Sequence, residues 1–289
     1  MLRIADVIDL HCHFGPDTIG GPERPASHSV SAVEAAREAA ESGHRALVLK
    51  SHSFASPSLA TALEDIVEGL RVFGGICTDY ISGGLNVEAV DSALRLGAKI
   101  VWLPTVHSRY DVAHGKGELL GLDGPGIDVI DGEGKVLDVV REIFDLVRAH
   151  DAVLATGHVG PDEHFAVVKE FAGRGKVLVT HAGEELSGPK LTPAQCAELA
   201  DLGAVIELTA LSCKDVMDSR GKSPREMGQM IATIGYERCT LSSDYGWTTI
   251  VPRPAPGLQE FFESLWAEGI TEDQLTTMAS RTPARLLGL

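Results

Sequence analysis

The feature that most constrains the fold of this chain is a repeated alternation of short apolar runs and amphipathic stretches. The apolar runs are continuous and rich in Val, Ile and Leu, as parallel strands are when helices cover both faces of their sheet. Eight strand–helix units over about 250 residues are typical of a TIM barrel. We therefore expect one (β/α)8 barrel domain over residues 1–289. The predicted strands are Val7–Phe14, Arg45–His52, Val72–Tyr80, Lys99–His107, Ala152–Val159, Lys176–Ala182, Ala204–Leu211 and Cys239–Tyr245.

Helix signals fill the stretches between these runs. Ser31–Ser42 opens with a capping-box pattern, and Leu137–His150 places its Val, Ile and Phe side chains on one stripe. An open doubly wound sheet is the alternative architecture, but no G-x-G-x-x-G motif follows the first predicted strand. The other predicted helices are Pro57–Leu70, Asn86–Leu96, Glu163–Ala172, Thr192–Leu202, Ser223–Ile234, Gly257–Glu268 and two short helices in Thr271–Leu289 that break near Thr282-Pro283.

The longest insertion, Ser108–Lys135, follows the fourth predicted strand and is rich in Gly and Asp. Loops of this length are uncommon in compact domains unless they carry a function. We therefore expect this insertion to influence which substrate enters the barrel.

The composition limits the partners of this chain. Its formal net charge of −16 argues against nucleic acid, because binding phosphates needs clustered Lys and Arg. No apolar run approaches the ~20 residues of a membrane span, and the N-terminus lacks the pattern of a signal peptide. The five cysteines are scattered without a C-x-x-C pair, which argues against a disulfide framework or a thiolate zinc site. We expect a cytoplasmic protein that binds a small molecule, either as a monomer or as a homo-oligomer.

Polar side chains gather at the carboxyl ends of the predicted strands, where TIM barrels place their active sites. His52, His107 and Glu207 are weaker candidates there, expected to support neighbouring groups. The main candidates, in strand order, are His11 and His13, Lys50, His158, His181 and Asp244.

The pair His11 and His13 raises the question of a bound metal. Side chains alternate along a strand, so the two imidazoles share a face and can chelate one divalent ion. His158 and His181 end neighbouring strands at similar depth, and Asp244 adds a hard carboxylate. A chance repeat is the competing explanation for the His-x-His pattern alone. Three or four imidazoles with one carboxylate suit Zn²⁺, with Mn²⁺, Fe²⁺ or Co²⁺ as alternatives.

This set of residues resembles the amidohydrolase superfamily of metal-dependent hydrolases. The resemblance covers nearly the whole chain and includes the closing segment SRTPARLLGL, which is similar to the C-terminal helix of that superfamily. It implies that His11, His13 and Asp244 bind the metal that activates water. It also implies that His158 and His181 bind a second metal in a binuclear enzyme. In a mononuclear enzyme, one of these two would be a ligand and the other would polarise the substrate.

The sequence departs from the best-known binuclear pattern at one residue. That pattern takes a carboxylated lysine or a glutamate from the fourth strand, whereas the lysine here is Lys50, at the end of the second. Lys50 is carbamylated and bridges two metals, or stays cationic and holds a substrate carboxylate or phosphate, or forms a structural ion pair. We favour the cationic role, and we expect one or two metal ions.

The predicted activity is hydrolysis of an amide, cyclic amide or lactone bond by metal-activated water. Asp244 is expected to transfer the proton, and His181 or His158 to stabilise the developing oxyanion. Lys50 completes the set of predicted catalytic residues. The alternatives are a metal-dependent decarboxylase, a PHP-type phosphoesterase on a distorted seven-stranded barrel, and a non-catalytic barrel that binds a metabolite.

Overall fold

The barrel predicted from the sequence is confirmed. A computed structural model describes residues 2–18, 28–116 and 124–289. Its eight strands are parallel, and each is hydrogen-bonded to the next in sequence order, as in a (β/α)8 barrel. Each predicted run overlaps one strand, and every strand is shorter than its run. The strands are β1 (Ile8–Cys12), β2 (Ala46–Leu49), β3 (Arg71–Cys77), β4 (Ile100–Trp102), β5 (Val153–Ala155), β6 (Lys176–Val179), β7 (Val205–Thr209) and β8 (Cys239–Ser242).

The helices alternate with these strands and cover the barrel. The capping box predicted at Ser31 is present, because its hydroxyl accepts from Glu34 N–H and the Glu34 carboxylate accepts from Ser31 N–H. The break predicted near Thr282-Pro283 is instead a π-helical turn at Thr277–Arg281. The α-helices are α1 (Ala32–Glu41), α2 (Pro57–Glu64), α3 (Val87–Arg95), α4 (Arg109–Ala113), α5 (Asp138–Ala149), α6 (Pro161–Phe171), α7 (Pro193–Asp201), α8 (Pro224–Ile234), α9 (Pro254–Ala267), α10 (Glu272–Thr276) and α11 (Thr282–Leu287).

The barrel interior is a packed apolar core with a polar mouth. Ile8 and Leu10 of β1 and Trp102 of β4 belong to one buried cluster inside the strands. Leu286 and Leu287 of α11 join this cluster. The pocket lies beyond the carboxyl ends of the strands, where TIM barrels bind their ligands.

A β-bulge in β1 decides which residues face the mouth. The pairing of β1 with β2 shifts between Asp9 and Cys12. Leu10 packs inside the barrel, whereas Cys12 packs in the outer cluster beneath α1. A bulge adds one residue and reverses the alternation. His11 and His13 therefore face the same interior as Leu10.

Strands β1 and β8 close the barrel through main-chain hydrogen bonds beyond the regular ladder. The N–H of Asp244 donates to the carbonyl oxygen of His11 at 2.8 Å. The N–H of His13 donates to the carbonyl oxygen of Tyr245 at 2.9 Å. This seam therefore joins the two chain segments that carry the candidate metal ligands His11, His13 and Asp244.

The insertion Ser108–Lys135 is described in part, since residues 117–123 lie outside the described ranges. Its first residues form the short helix α4, which begins after the N-cap Ser108. Asp111 of this helix is buried beside the barrel mouth. Among the described residues, no helix is both long and apolar enough to span a membrane.

Candidate functional site

Five imidazole rings meet at the mouth of the barrel. The ring centroids of His11 and His13 lie 5.2 Å apart, and His11 lies 5.7 Å from His181. His158 and His181 are separated by 4.7 Å. His52 stacks on His13 at 5.2 Å. The structure thus brings all four predicted histidines together, and His52 joins them.

Asp244 lies against the histidine pair of β1. Its Oδ1 atom is 3.0 Å from Nε2 of His11 and 3.0 Å from Nε2 of His13. The residue has a left-handed backbone with φ of 56°, which aims the carboxylate back across the seam. Burial alone would raise its pKa, but the charge of His11 and hydrogen bonds from both imidazoles hold the pKa well below its usual range.

Glu207 of β7 orients His11 from behind. Nδ1 of His11 donates to Glu207 Oε2 at 3.0 Å, and the main-chain N–H of His181 donates to the same oxygen at 3.1 Å. Ser242 Oγ donates to the other carboxylate oxygen at 2.9 Å. Burial opposes the charge of Glu207, but the charge of His11 and its hydrogen bond outweigh it and lower the pKa of Glu207. When the ring of His11 is neutral with its proton on Nδ1, the lone pair of Nε2 is available to a metal ion.

Asp111 orients His158 in the same way that Glu207 orients His11. Nδ1 of His158 lies 2.6 Å from Asp111 Oδ2, and Gly188 N–H donates to Asp111 Oδ1 at 2.8 Å. Burial raises the pKa of Asp111 to about 7, so above that pH it is a carboxylate that accepts from His158. Burial and the charge of Lys50 lower the pKa of His158 well below its usual range. His158 is therefore neutral, as a metal ligand must be.

The donor atoms fit a divalent cation. Donor atoms of His11, His13 and Asp244 lie within 4.8 Å of one another. Nε2 of His158 is buried and has no hydrogen-bond partner among the described residues. Buried nitrogen atoms are rarely left without a partner. Imidazoles held by a carboxylate behind them are the usual arrangement of metal-binding histidines.

Glu184 is one of the site residues that the sequence analysis missed. The loop after β6 buries it, and its donor atom lies within 4.8 Å of those of His181 and Asp244. Burial and the charge of Asp244 raise the pKa of Glu184 well above its usual range, so it keeps its proton. Its position three residues after His181 is the only signal that the sequence offers.

A second polar cluster holds His52. Nδ1 of His52 lies 2.7 Å from Thr105 Oγ1 and 3.3 Å from Asp79 Oδ2. The N–H groups of Thr105 and His107 donate to Asp79 Oδ1 at 2.9 and 3.0 Å. Hydrogen bonds from His107 and His52 overcome the effect of burial and lower the pKa of Asp79. His107 and Glu207 thus support other groups, as predicted, whereas His52 itself faces the pocket.

Lys50 directly follows β2 and is only 1% exposed. Its ammonium group lies 5.6 Å from the centroid of the Trp102 ring, and the side chain lines the same pocket as His13 and His158. Within residues 2–18, 28–116 and 124–289, no carboxylate forms an ion pair with Lys50. The structural ion pair considered from the sequence therefore has no partner in this part of the chain.

Solved structures share this fold along nearly their whole length. An amidohydrolase from Pseudomonas aeruginosa superposes with a TM-score of 0.63 and 13% identity over 98% of this chain and 95% of that chain. A putative 2-pyrone-4,6-dicarboxylic acid hydrolase from Pseudomonas putida has a TM-score of 0.61 and 17% identity over 99% and 98%. A 2,6-dihydroxybenzoate decarboxylase has a TM-score of 0.60 and 10% identity over 100% of both chains.

Sequence comparisons are less specific. Residues 6–207 match the profile of a family of unknown function (DUF6282). No curated protein matches the chain in a sequence comparison. The resemblance to the amidohydrolase superfamily predicted from the sequence is thus confirmed for the fold. Because the profile covers more than half of the 289 residues, the chain belongs to the family of unknown function DUF6282.

Proposed function

We propose that this protein is a metal-dependent hydrolase that cleaves an amide, cyclic amide or lactone bond in a small molecule. The observation that carries the proposal is the convergence of His11 and His13 on a single oxygen of Asp244, with His11 held from behind by Glu207. Nitrogen-rich donor sets with one carboxylate favour Zn²⁺, with Mn²⁺, Fe²⁺ or Co²⁺ as alternatives.

His11, His13 and Asp244 would hold one ion. His158 and His181 would hold a second ion, or one of them would complete the first site. A divalent ion bound there supplies hydroxide at neutral pH by lowering the pKa of coordinated water, and polarises a substrate carbonyl.

The side chains of the pocket would then transfer the proton and stabilise the developing oxyanion. Asp244 is anionic and faces the pocket, so it can take a proton from attacking water and return it to the leaving group. Burial, reinforced by the neighbouring His158, lowers the pKa of His181 and keeps its ring neutral. If His181 is not a ligand, its ring N–H can donate to the developing oxyanion. Glu184 and Leu186, in the loop beyond His181, line the same pocket.

Decarboxylation is the second candidate, and Lys50 favours it. A buried ammonium group without a carboxylate partner in the described chain suits a substrate that itself carries a carboxylate. Release of CO₂ from an aromatic acid would distinguish this reaction from hydrolysis. A PHP-type phosphoesterase is less favoured, because eight strands form the barrel instead of seven.

Metal content tests the proposal. We expect the purified protein to contain one or two equivalents of metal by inductively coupled plasma mass spectrometry, and His13→Asn to lose at least one of them. His150→Asn is the matched control, because His150 is the exposed C-cap residue of α5. A panel of lactones, cyclic amides and N-acyl compounds then identifies the reaction, which a chelator should abolish and Zn²⁺ restore. Absence of bound metal after incubation with Zn²⁺, Mn²⁺, Fe²⁺ and Co²⁺ would support the non-catalytic barrel.

Glu207→Gln should weaken metal binding about 10- to 100-fold, because the amide cannot supply the charge that orients His11. The measurement is a competition titration with a metal chelator of known affinity. Glu237→Gln is the control, since Glu237 is exposed in the 3-10 turn Tyr236–Arg238 that precedes β8. Equal metal affinity in the wild type and Glu207→Gln would show that Glu207 only fills space.

A further inference from the structure

The strongest unexplained feature of the pocket is the buried ammonium group of Lys50. It contacts the face of the Trp102 ring, and His11 lies 6.0 Å from the same ring on the metal-binding side. An ammonium group buried in a protein is costly unless an anion or several acceptors compensate it. The described residues supply no such anion.

Two carboxylates at the barrel mouth, Asp244 and Asp79, are engaged elsewhere. Asp244 contacts His11 and His13, at 3.0 Å each. Asp79 accepts from two main-chain N–H groups and from the hydroxyl of Thr105. None of these groups can turn toward Lys50 without losing its present contacts, so the compensating anion has to enter through the pocket.

The second lysine of the pocket is already satisfied. Lys116 donates from Nζ to the carbonyl oxygens of Glu185 at 2.9 Å and Gly188 at 2.7 Å. The ammonium group of Lys50 balances a single negative charge, whereas a phosphate group needs more hydrogen-bond donors and more positive charge. A carboxylate is therefore the better match.

The rest of the pocket indicates the body of the ligand. About 550 Å³ of empty space, part of it open to solvent, lies above the imidazoles. Apolar side chains form much of the wall on this side, so the group attached to the carboxylate is expected to be apolar. These side chains are Val106, Leu186, Leu211, Met217 and Trp247.

We propose that Lys50 is the anchor for the carboxylate of a small substrate with an apolar body, which places the reactive bond beside His11, His13 and Asp244. The substrate class is thus an aromatic or short aliphatic carboxylic acid. The inference rests on the proposed function for the reaction, but the binding step itself needs no turnover.

Titration calorimetry with benzoate, benzamide and inorganic phosphate tests this anchor on the purified protein, with its metal content measured. Benzoate should bind the wild type at least tenfold more tightly than benzamide or phosphate. Lys50→Met should lose at least tenfold in benzoate affinity, while its benzamide affinity and metal content stay unchanged. Lys169→Met, an exposed lysine on α6, is the matched control and should bind benzoate like the wild type.

Three results would overturn the anchor. The first two are equal benzoate affinity in the wild type and Lys50→Met, and no preference of the wild type for benzoate over benzamide and phosphate. The third is loss of metal in Lys50→Met together with wild-type metal binding that depends on bicarbonate. The last would assign Lys50 to a carbamate that bridges metals. If Lys50→Met does not fold, the affinities of the wild type for benzoate, benzamide and inorganic phosphate test the anchor on their own. If the protein selects benzoate but binds no metal, the proposed hydrolase is contradicted and the Lys50 anchor is supported. If it binds metal but does not select benzoate, the anchor is contradicted and the hydrolase is supported.

Discussion

Asp244→Asn is expected to lower turnover roughly 10³-fold or more on the substrate found by screening, while the protein stays folded. The amide cannot accept the proton of attacking water, and it removes the negative charge shared by His11 and His13. The fold should survive, because Asn is among the residues that tolerate the left-handed backbone at this position, where φ is 56°. The measurements are kcat, metal content and thermal unfolding of the same preparation.

Asp65→Asn is the matched control for this prediction. Asp65 is the exposed C-cap residue of α2, so its substitution should leave kcat and metal content unchanged. Metal content also separates the two roles of Asp244. Loss of metal with loss of turnover marks a ligand, and loss of turnover with full metal content marks a proton acceptor. Normal turnover in Asp244→Asn would remove this residue from the chemistry.

The sequence predicts the barrel well because its strands are buried on both faces. In the run Lys176–Ala182, for example, the three consecutive apolar residues Val177–Val179 are all buried. The capping residues Ser31 and Asn86 begin the helices as predicted. The exact strand ends are less predictable. β5 stops at Ala155, so His158 is positioned by the loop after the strand instead of by the strand itself.

The position of His11 and His13 shows how far alternation along a strand can be used. Alternation predicts that both face one side, and the structure has them so. Strict alternation would also place Leu10 on the opposite side from His11, whereas Leu10 packs inside the barrel because the bulge in β1 reverses the alternation. A bulge depends on pairing with a neighbouring strand, which a single sequence does not reveal.

The acidic residues around the histidines were the hardest to predict. Asp79 comes two residues after β3 ends, so the rule that found the histidines points to it as well. Asp111 belongs to a short helix within the insertion, and only the packing of that helix against His158 gives it a role. Glu184 is one of two adjacent glutamates. The structure buries it and pairs its neighbour Glu185 with Lys190 at 2.5 Å.

Gly246→Ala is the substitution from which we expect the largest loss of stability. A Cβ atom at Gly246 would lie 1.8 Å from the carbonyl oxygen of His13, and φ there is 114°. Backbone strain and overpacking together should cost roughly 3 kcal/mol or more, since each contributes about 1–3 kcal/mol. For a domain of 289 residues, a cost of about 3 kcal/mol lowers the melting temperature by about 5 °C. Circular dichroism melts of the two proteins measure the difference.

Gly97→Ala separates the clash from the backbone strain. Gly97 has φ of 97°, and a Cβ atom there meets nothing within 4 Å. Its substitution carries the strain alone and should cost about 1 kcal/mol. Because Gly246 lies two residues after Asp244 and presses against His13, its variant should also bind metal more weakly, whereas Gly97→Ala should not. Equal melting temperatures in the two variants would mean that the seam between β1 and β8 adjusts to the added methyl group at little cost. Equal metal affinities would mean that the candidate metal ligands do not depend on the close packing of this seam.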